Sequence, residues 1–276
     1  MIIPTFNTKA ELFKFVKDNK SLLITEKKSQ LKKADAISFV VPVSTPSGDA
    51  VKSESFGQVD LETIKAEVVI NTTNILDSHG DVHMKGIWSK SLKEKKTLYL
   101  LQEHEMKFEK VITDELKASV KSYSWSDLGF SEFKGSTEAL VFDATINSDR
   151  NEYMFEQYFK GRVKQHSVGM QYVNLYLCID SDEKYYKEEK ANWDKYINEV
   201  VNKQDAIDLG MFWAVTEAKI IEGSAVLRGS NYATPTLSVT TTQDIEADTV
   251  TSSKDEPPKS TQKINYEYLI NQFKNK

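Results

Sequence analysis

One cysteine, Cys178, stands in 276 residues, so no intramolecular disulfide framework holds this chain, and the usage fits a reducing compartment. It sits in an apolar strand-like run, Tyr176-Leu177-Cys178-Ile179, where a lone thiol is a core residue. No stretch approaches the roughly 18 consecutive apolar residues of a membrane-spanning helix. Met1-Ile2-Ile3-Pro4 gives way quickly to charged sequence and lacks the apolar body of a secretory signal. Basic blocks are missing as well. With 36 Lys and Arg against 41 Asp and Glu the net charge is −5, and nothing suits a phosphate backbone, so nucleic-acid binding is not expected. These absences describe a soluble, intracellular chain. A hydrophobic share of only 39% against 28% charged residues predicts a compact domain with polar, poorly ordered ends.

The length suits one large or two small domains with room for a buried core. Residues 8–34 read as helix: Thr8 or Asn7 can cap, Glu11 stands at capping-box distance from Thr8, and Leu12, Phe13, Phe15 and Val16 form an apolar stripe. Lys27-Lys28 and Lys32-Lys33 read as a solvated face. Residues 42–59, with Pro42, Pro46, Gly48 and Gly57 among serines, read as a linker or long loop. From about residue 62 the texture becomes short β-branched and aromatic runs: Ala66–Asn71, Thr97–Gln102, Leu116–Trp125, Ala139–Ile146, a strand around Ser167, and Phe212–Leu227. Helical spacing marks Asn151–Gly161 and residues 183–202. Residues 236–262 are too rich in Thr, Ser, Asp, Glu, Lys and Pro to bury anything and are expected to be disordered, and Ile264–Phe273 has the spacing of a short helix. The fold class expected is therefore mainly β with flanking helices (α+β), a barrel or strongly curved sheet. Residues 1–60 form an N-terminal helical segment and linker open to removal as a pro-segment; 61–237 form the domain, 238–262 a disordered linker and 263–276 a terminal helix.

Four places could carry chemistry. Arg162–Val173 reads as a strand with Ser167, Gly169, Gln171 and Val173 on one face and His166, Val168, Met170 and Tyr172 on the other. A hydroxyl beside a glycine that leaves room for an approaching group suits acyl transfer, although most strand serines only pack. Asp77-Ser78-His79-Gly80-Asp81-Val82-His83 offers two histidines at i, i+4, but Gly80, Asn74 and Asp77 favour a turn whose aspartates bind the backbone, so no metal and no cofactor is expected. His104 follows the apolar strand Leu98–Gln102, where a side chain leaves the core; it could be a general base, or a surface residue paired with Glu103 or Glu105. Glu222 interrupts an apolar strand face beside Ser224 and needs a partner, either a histidine that it orients or a lysine or backbone amide.

Taken in order, these segments resemble the tailed-phage prohead protease family, the serine proteases that mature viral capsids, over about residues 62–235. Asp77–Trp88 is similar to the family's Asp-x-His-Gly-Asp-x-x-x-x-Gly opening, and Leu100–His104 to the strand ending in the catalytic histidine. Gln165–Met170 resembles the segment with the nucleophilic serine, and Lys219–Val226 with Gly229-Ser230-Asn231 the closing Leu-x-Glu-x-Ser motif and its turn. The chain departs from the family after His104, where Phe108–Ile112 stands in place of a short Ile-Gly segment.

The resemblance implies a herpesvirus-protease-like β-barrel surrounded by helices. It also implies an endopeptidase that cuts itself and the scaffold and major capsid proteins inside the procapsid in the host bacterial cytoplasm. Ser167 would be the nucleophile, His104 the base, and Glu222 the third member with His166 in reserve, although strand parity points His166 away from Ser167. Oligomeric state is left open. Two rivals follow from the same residues: a catalytically silent scaffold component that binds capsid protein through its tail, and a metal-dependent hydrolase built on His79, Asp81 and His83.

Overall fold

The computed structural model describes residues 6, 8–29, 62–94 and 96–241, all within the unit Met1–Thr242. The expected linker at 42–59, the tail at 242–262 and the terminal helix lie outside the described residues. Two helices open the chain, α1 (Lys9–Asp18) and α2 (Lys20–Ser29). The Thr8 hydroxyl accepts from the Glu11 amide at 3.2 Å, satisfying one of the donors that a helix start leaves unpaired.

The first sheet is antiparallel, ordered β5 (Leu116–Ser124), β6 (Ser136–Asn147), β1 (Thr63–Thr72), β9 (Thr236–Thr241). The second contains β2 (Asp81–His83), β3 (Leu100–Gln102), β4 (Val111–Thr113), β7 (Gln165–Ile179) and β8 (Met211–Val226). β8 organises this sheet. One of its edges pairs antiparallel with β7 from end to end, and the other is divided between two short parallel partners, β2 at Trp213–Val215 and β3 at Gly223–Ala225. Between those partners, the Ile220 amide donates to Ser91 Oγ at 2.9 Å and its carbonyl accepts from Lys96 Nζ, so side chains satisfy both backbone groups of this residue where the ladder is interrupted.

The principal core lies where Ile64, Val68, Ile70, Leu140 and Phe142 of the first sheet meet Val168, Met170, Ile220 and Ala225 of the second. Gly223 permits this packing, because a Cβ there would stand 2.6 Å from the Phe142 ring and 2.9 Å from Ile70. Three helices complete the unit: α3 (Glu152–Phe159), α4 (Lys187–Tyr196) and α5 (Lys203–Leu209).

The α+β class holds, but the hydrogen bonding among the described residues forms two sheets and not a closed barrel. Three further expectations are corrected. Residues 236–241 are a strand, because the open edge of β1 supplies partners that their own polar composition does not require. Residues 183–202 are α4 flanked by single 3-10 turns and not one helix. The basic face of the N-terminal helices is not all solvated: Lys27 pairs with the fully buried Asp81 and lies 5.5 Å from the centre of the Trp213 ring. Phe13, Val16 and Leu23 enter the same core as the sheets, so the N-terminal helices are built into the domain.

Candidate active site

The site is built on the last turn of sheet around β8. β3 runs beside it, with Leu101 opposite Ser224, and then ends in two successive left-handed residues, Glu103 (φ 53°) and His104 (φ 60°). A non-glycine residue in that region is uncommon, and two together hold local strain of the kind found at functional sites. The turn is secured at each step: Glu103 N–H donates to Ala225 O at 3.0 Å, His104 N–H to Ser224 Oγ at 3.1 Å, and Glu105 N–H to Gln102 O at 3.0 Å. It folds His104 back onto β8, where the imidazole Nδ1 lies 2.6 Å from Glu222 Oε1. Ser224 Oγ donates to the other carboxylate oxygen at 2.6 Å. With Nδ1 spent on a carboxylate, the ring carries its proton there and Nε2 is left as the basic nitrogen.

The pairing of β7 with β8 brings Ser167 into the same patch. Ser167 is opposite Ser224 and Gly169 opposite Glu222, so all four share one face, directly paired residues lying about 4.5–5.5 Å apart at Cα. Gly169 explains how the carboxylate fits. A Cβ on Gly169 would stand 1.8 Å from Glu222 Oε1, so Glu222 leans across onto β7 and occupies the space that this glycine leaves. The room expected beside Ser167 for an approaching group is thus filled at Gly169 by the Glu222 carboxylate. His104 (4%), Glu222 (1%) and Ser224 (0%) are buried, and Ser167 retains 8% exposure.

Ser167 lines a small cleft with Asn71, His79, Met170, Ser230 and Asn231, about 280 Å³ including its open mouth. The loop that closes this cleft after β8 is pinned. Gly229 N–H donates to Gln165 Oε1 at 3.2 Å, and Asn231 binds Thr72 through both ends of its amide at 3.1 and 2.8 Å.

His166, the reserve for the third position, is directed elsewhere. Its Nε2 lies 2.9 Å from the Tyr158 hydroxyl and its Nδ1 3.2 Å from Thr234 O. Burial pushes this imidazole down to about 4, against an opposing pull from the Thr234 carbonyl. His104 is neither on the surface nor paired as a surface histidine would be. The Asp77–His83 segment is a turn: Asp77 Oδ1 accepts from the His79 and Asp81 amides at 2.8 and 3.0 Å. Among the described residues, no group of three or more His, Cys, Asp or Glu is placed to hold a metal ion. Ser224, which the sequence marked only as the Ser of the closing motif, and Asn71, which it did not mark, belong to the site. The i, i+2 relation of Ser224 to Glu222 was its signal; Asn71 had no local signal.

Compared with protein-family models, with curated proteins and with solved structures, the chain matches none. No helix among the described residues is long and apolar enough to cross a membrane.

Proposed function

We propose that this protein is a serine endopeptidase of the prohead-maturation type, with a fold related to the herpesvirus assembly proteases. The observation that carries the reading is the 2.6 Å contact between His104 Nδ1 and Glu222, made on the sheet face that also bears Ser167. A buried histidine with its Nδ1 on a carboxylate and a serine on the neighbouring strand have the roles of a catalytic triad, which is recognised by geometry and not by chain order.

In this mechanism Ser167 Oγ attacks the peptide carbonyl carbon while its proton passes to His104 Nε2. The Glu222 carboxylate stabilises the imidazolium through Nδ1. The tetrahedral intermediate collapses with cleavage of the C–N bond, and His104 returns the proton to the departing amine. Water then repeats the sequence on the acyl-Ser167 ester. Burial of the His104–Glu222 pair strengthens this electrostatic coupling relative to water.

The proposed substrates are scaffold and capsid-protein extensions and the polar stretches of the chain itself at 42–59 and 242–262, in an assembling procapsid. Mass spectrometry of the protein co-produced with its capsid and scaffold partners, wild type beside Ser167→Ala, tests it. Truncated products are expected with wild type only. The same products from Ser167→Ala, or none from wild type, would end the reading.

A further inference from the structure

A second buried network starts at Lys27, passes through Asp81 in the Asp77–Asp81 turn and ends in the wall of the Ser167 cleft, and its proton directions can be read from one end to the other.

Asp81 is fully buried, and one of its carboxylate oxygens accepts from Lys27 Nζ. The other accepts from the Tyr172 hydroxyl at 2.7 Å. A carboxylate bound by a lysine offers no proton, so Tyr172 is the donor, and its oxygen can then only accept from His83 Nε2, 3.2 Å away. Burial lowers the affinity of His83 for a second proton, so the ring is neutral and its Nδ1 carries a lone pair. That lone pair accepts from Asn71 Nδ2 at 3.0 Å. The amide of Asn71 is thereby locked with its carbonyl oxygen turned away from His83.

Two independent observations concern that oxygen. Asn71 lines the cleft with Ser167, and although the residue is only 1% exposed, its Oδ1 has no hydrogen-bond partner among the described residues. A buried unpaired carbonyl is costly and calls for an explanation. The strand is also irregular here. The β1–β6 register slips between Val69 and Asn71, leaving Ile70 as an extra residue, and such bulges re-aim a side chain beside an active site.

We infer that Asn71 is a substrate-positioning residue whose Oδ1 accepts a backbone N–H of the polypeptide bound beside Ser167, its orientation imposed by the series Lys27, Asp81, Tyr172, His83. The occupant named rests on the endopeptidase reading above. The same series commits one of the two Asn71 N–H groups to His83.

The test uses a quenched-fluorescent peptide selected from a library by cleavage with wild-type protein, and a set of analogues in which each amide near the scissile bond is replaced in turn by an ester, removing one N–H at a time. At one position the ester is expected to lower kcat/KM for wild type by roughly 10- to 100-fold, as when a site built for a hydrogen bond meets a ligand lacking it. Asn71→Leu should cleave amide and ester at that position equally well. Undiminished discrimination at every position by Asn71→Leu would overturn the inference. If that variant does not fold, Tyr172→Phe decides: freeing the His83 tautomer should reduce the same discrimination, and an unchanged ratio overturns it.

A readout independent of activity is the nitrogen spectrum of His83, where the proton is expected on Nε2. A proton on Nδ1 overturns the orientation. Wild-type protein that cleaves no peptide and takes no fluorophosphonate label at Ser167 would sink the endopeptidase reading and the occupant with it, while the tautomer alone judges how Asn71 is turned.

Discussion

At Gly169 a missing methyl group makes the site. Adding it would place a carbon 1.8 Å from Glu222 Oε1, so the carboxylate must swing away and release His104. Gly169→Ala is expected to lower peptide cleavage by at least about 100-fold and to cost about 1–3 kcal/mol from overpacking. Steady-state kinetics together with urea melts check both, and wild-type kcat/KM in this variant would remove Gly169 from the account. Ser167→Ala and His104→Ala should each reduce turnover on the order of 10⁶-fold, and Glu222→Gln by roughly 10⁴-fold, measured by single-turnover cleavage. Equal losses from all three would mean that Glu222 does more than orient the ring. Ser167, His104 and Glu222 could be singled out because each sets a polar side chain on a strand or strand end, and the family resemblance joined them into one proposed set. Asn71 could not be, because a bulge leaves no mark in the alternation pattern, and its lock depends on residues 12 and 101 positions away in the chain.

Among the elements, α1 and α2 bear on a question that the sequence left open. Their apolar stripe was correctly placed, and a segment whose sequence left open both removal and a place in the fold buries Phe13, Val16 and Leu23 in the domain core. Lys17 and Lys20 bind the fully buried Glu189 at 2.6 and 2.8 Å, and these bonds hold its carboxyl below the usual range although burial alone would raise it. Lys27→Met would leave Asp81 buried without its cation. Because Lys27 keeps some exposure, a destabilisation of about 2–3 kcal/mol is expected, at or below the low end for breaking a buried pair. Equilibrium urea unfolding measures it, and a change below about 0.5 kcal/mol would show the pair to be a surface one in effect. If the chain is cut within 42–59, the fragment carrying α1 and α2 should co-elute with the domain on gel filtration. Separation of the two would favour removal as a pro-segment. The short strands β2 and β4 and the helix α5 escaped the sequence because three to seven residues carry too little periodicity to register. β9 escaped because its Thr- and Ser-rich composition gains order only from the edge of β1.

For the molecule as a whole, buried neutral imidazoles set the acid limit. His166 titrates near 6.5 when unfolded and about 4 when folded. The unfolded chain therefore takes up the proton first as pH falls, and stability declines through that window, by about 3 kcal/mol for His166 alone once pH is below 4. His83 is shifted in the same direction by burial and adds to the decline. Urea midpoints between pH 7 and 4.5 are expected to fall steeply, and His166→Gln should flatten the slope by close to one proton. An unchanged slope would mean that His166 titrates normally in the native state.

Composition and order along the chain determined that this is a cysteine-poor α+β domain carrying a serine, a histidine and a carboxylate at strand positions, since these follow from residue type and a two-residue period. Tertiary structure decided which partners those groups meet. A two-residue left-handed turn puts His104 on Glu222, a glycine on the next strand makes room for that carboxylate, and the α2 lysine fixes a buried series that ends at Asn71. Apart from Asn71–His83, 12 residues apart, such contacts join positions 50 to more than 100 residues apart, and no local pattern encodes them, because what selects each one is the space and the charge left by another segment.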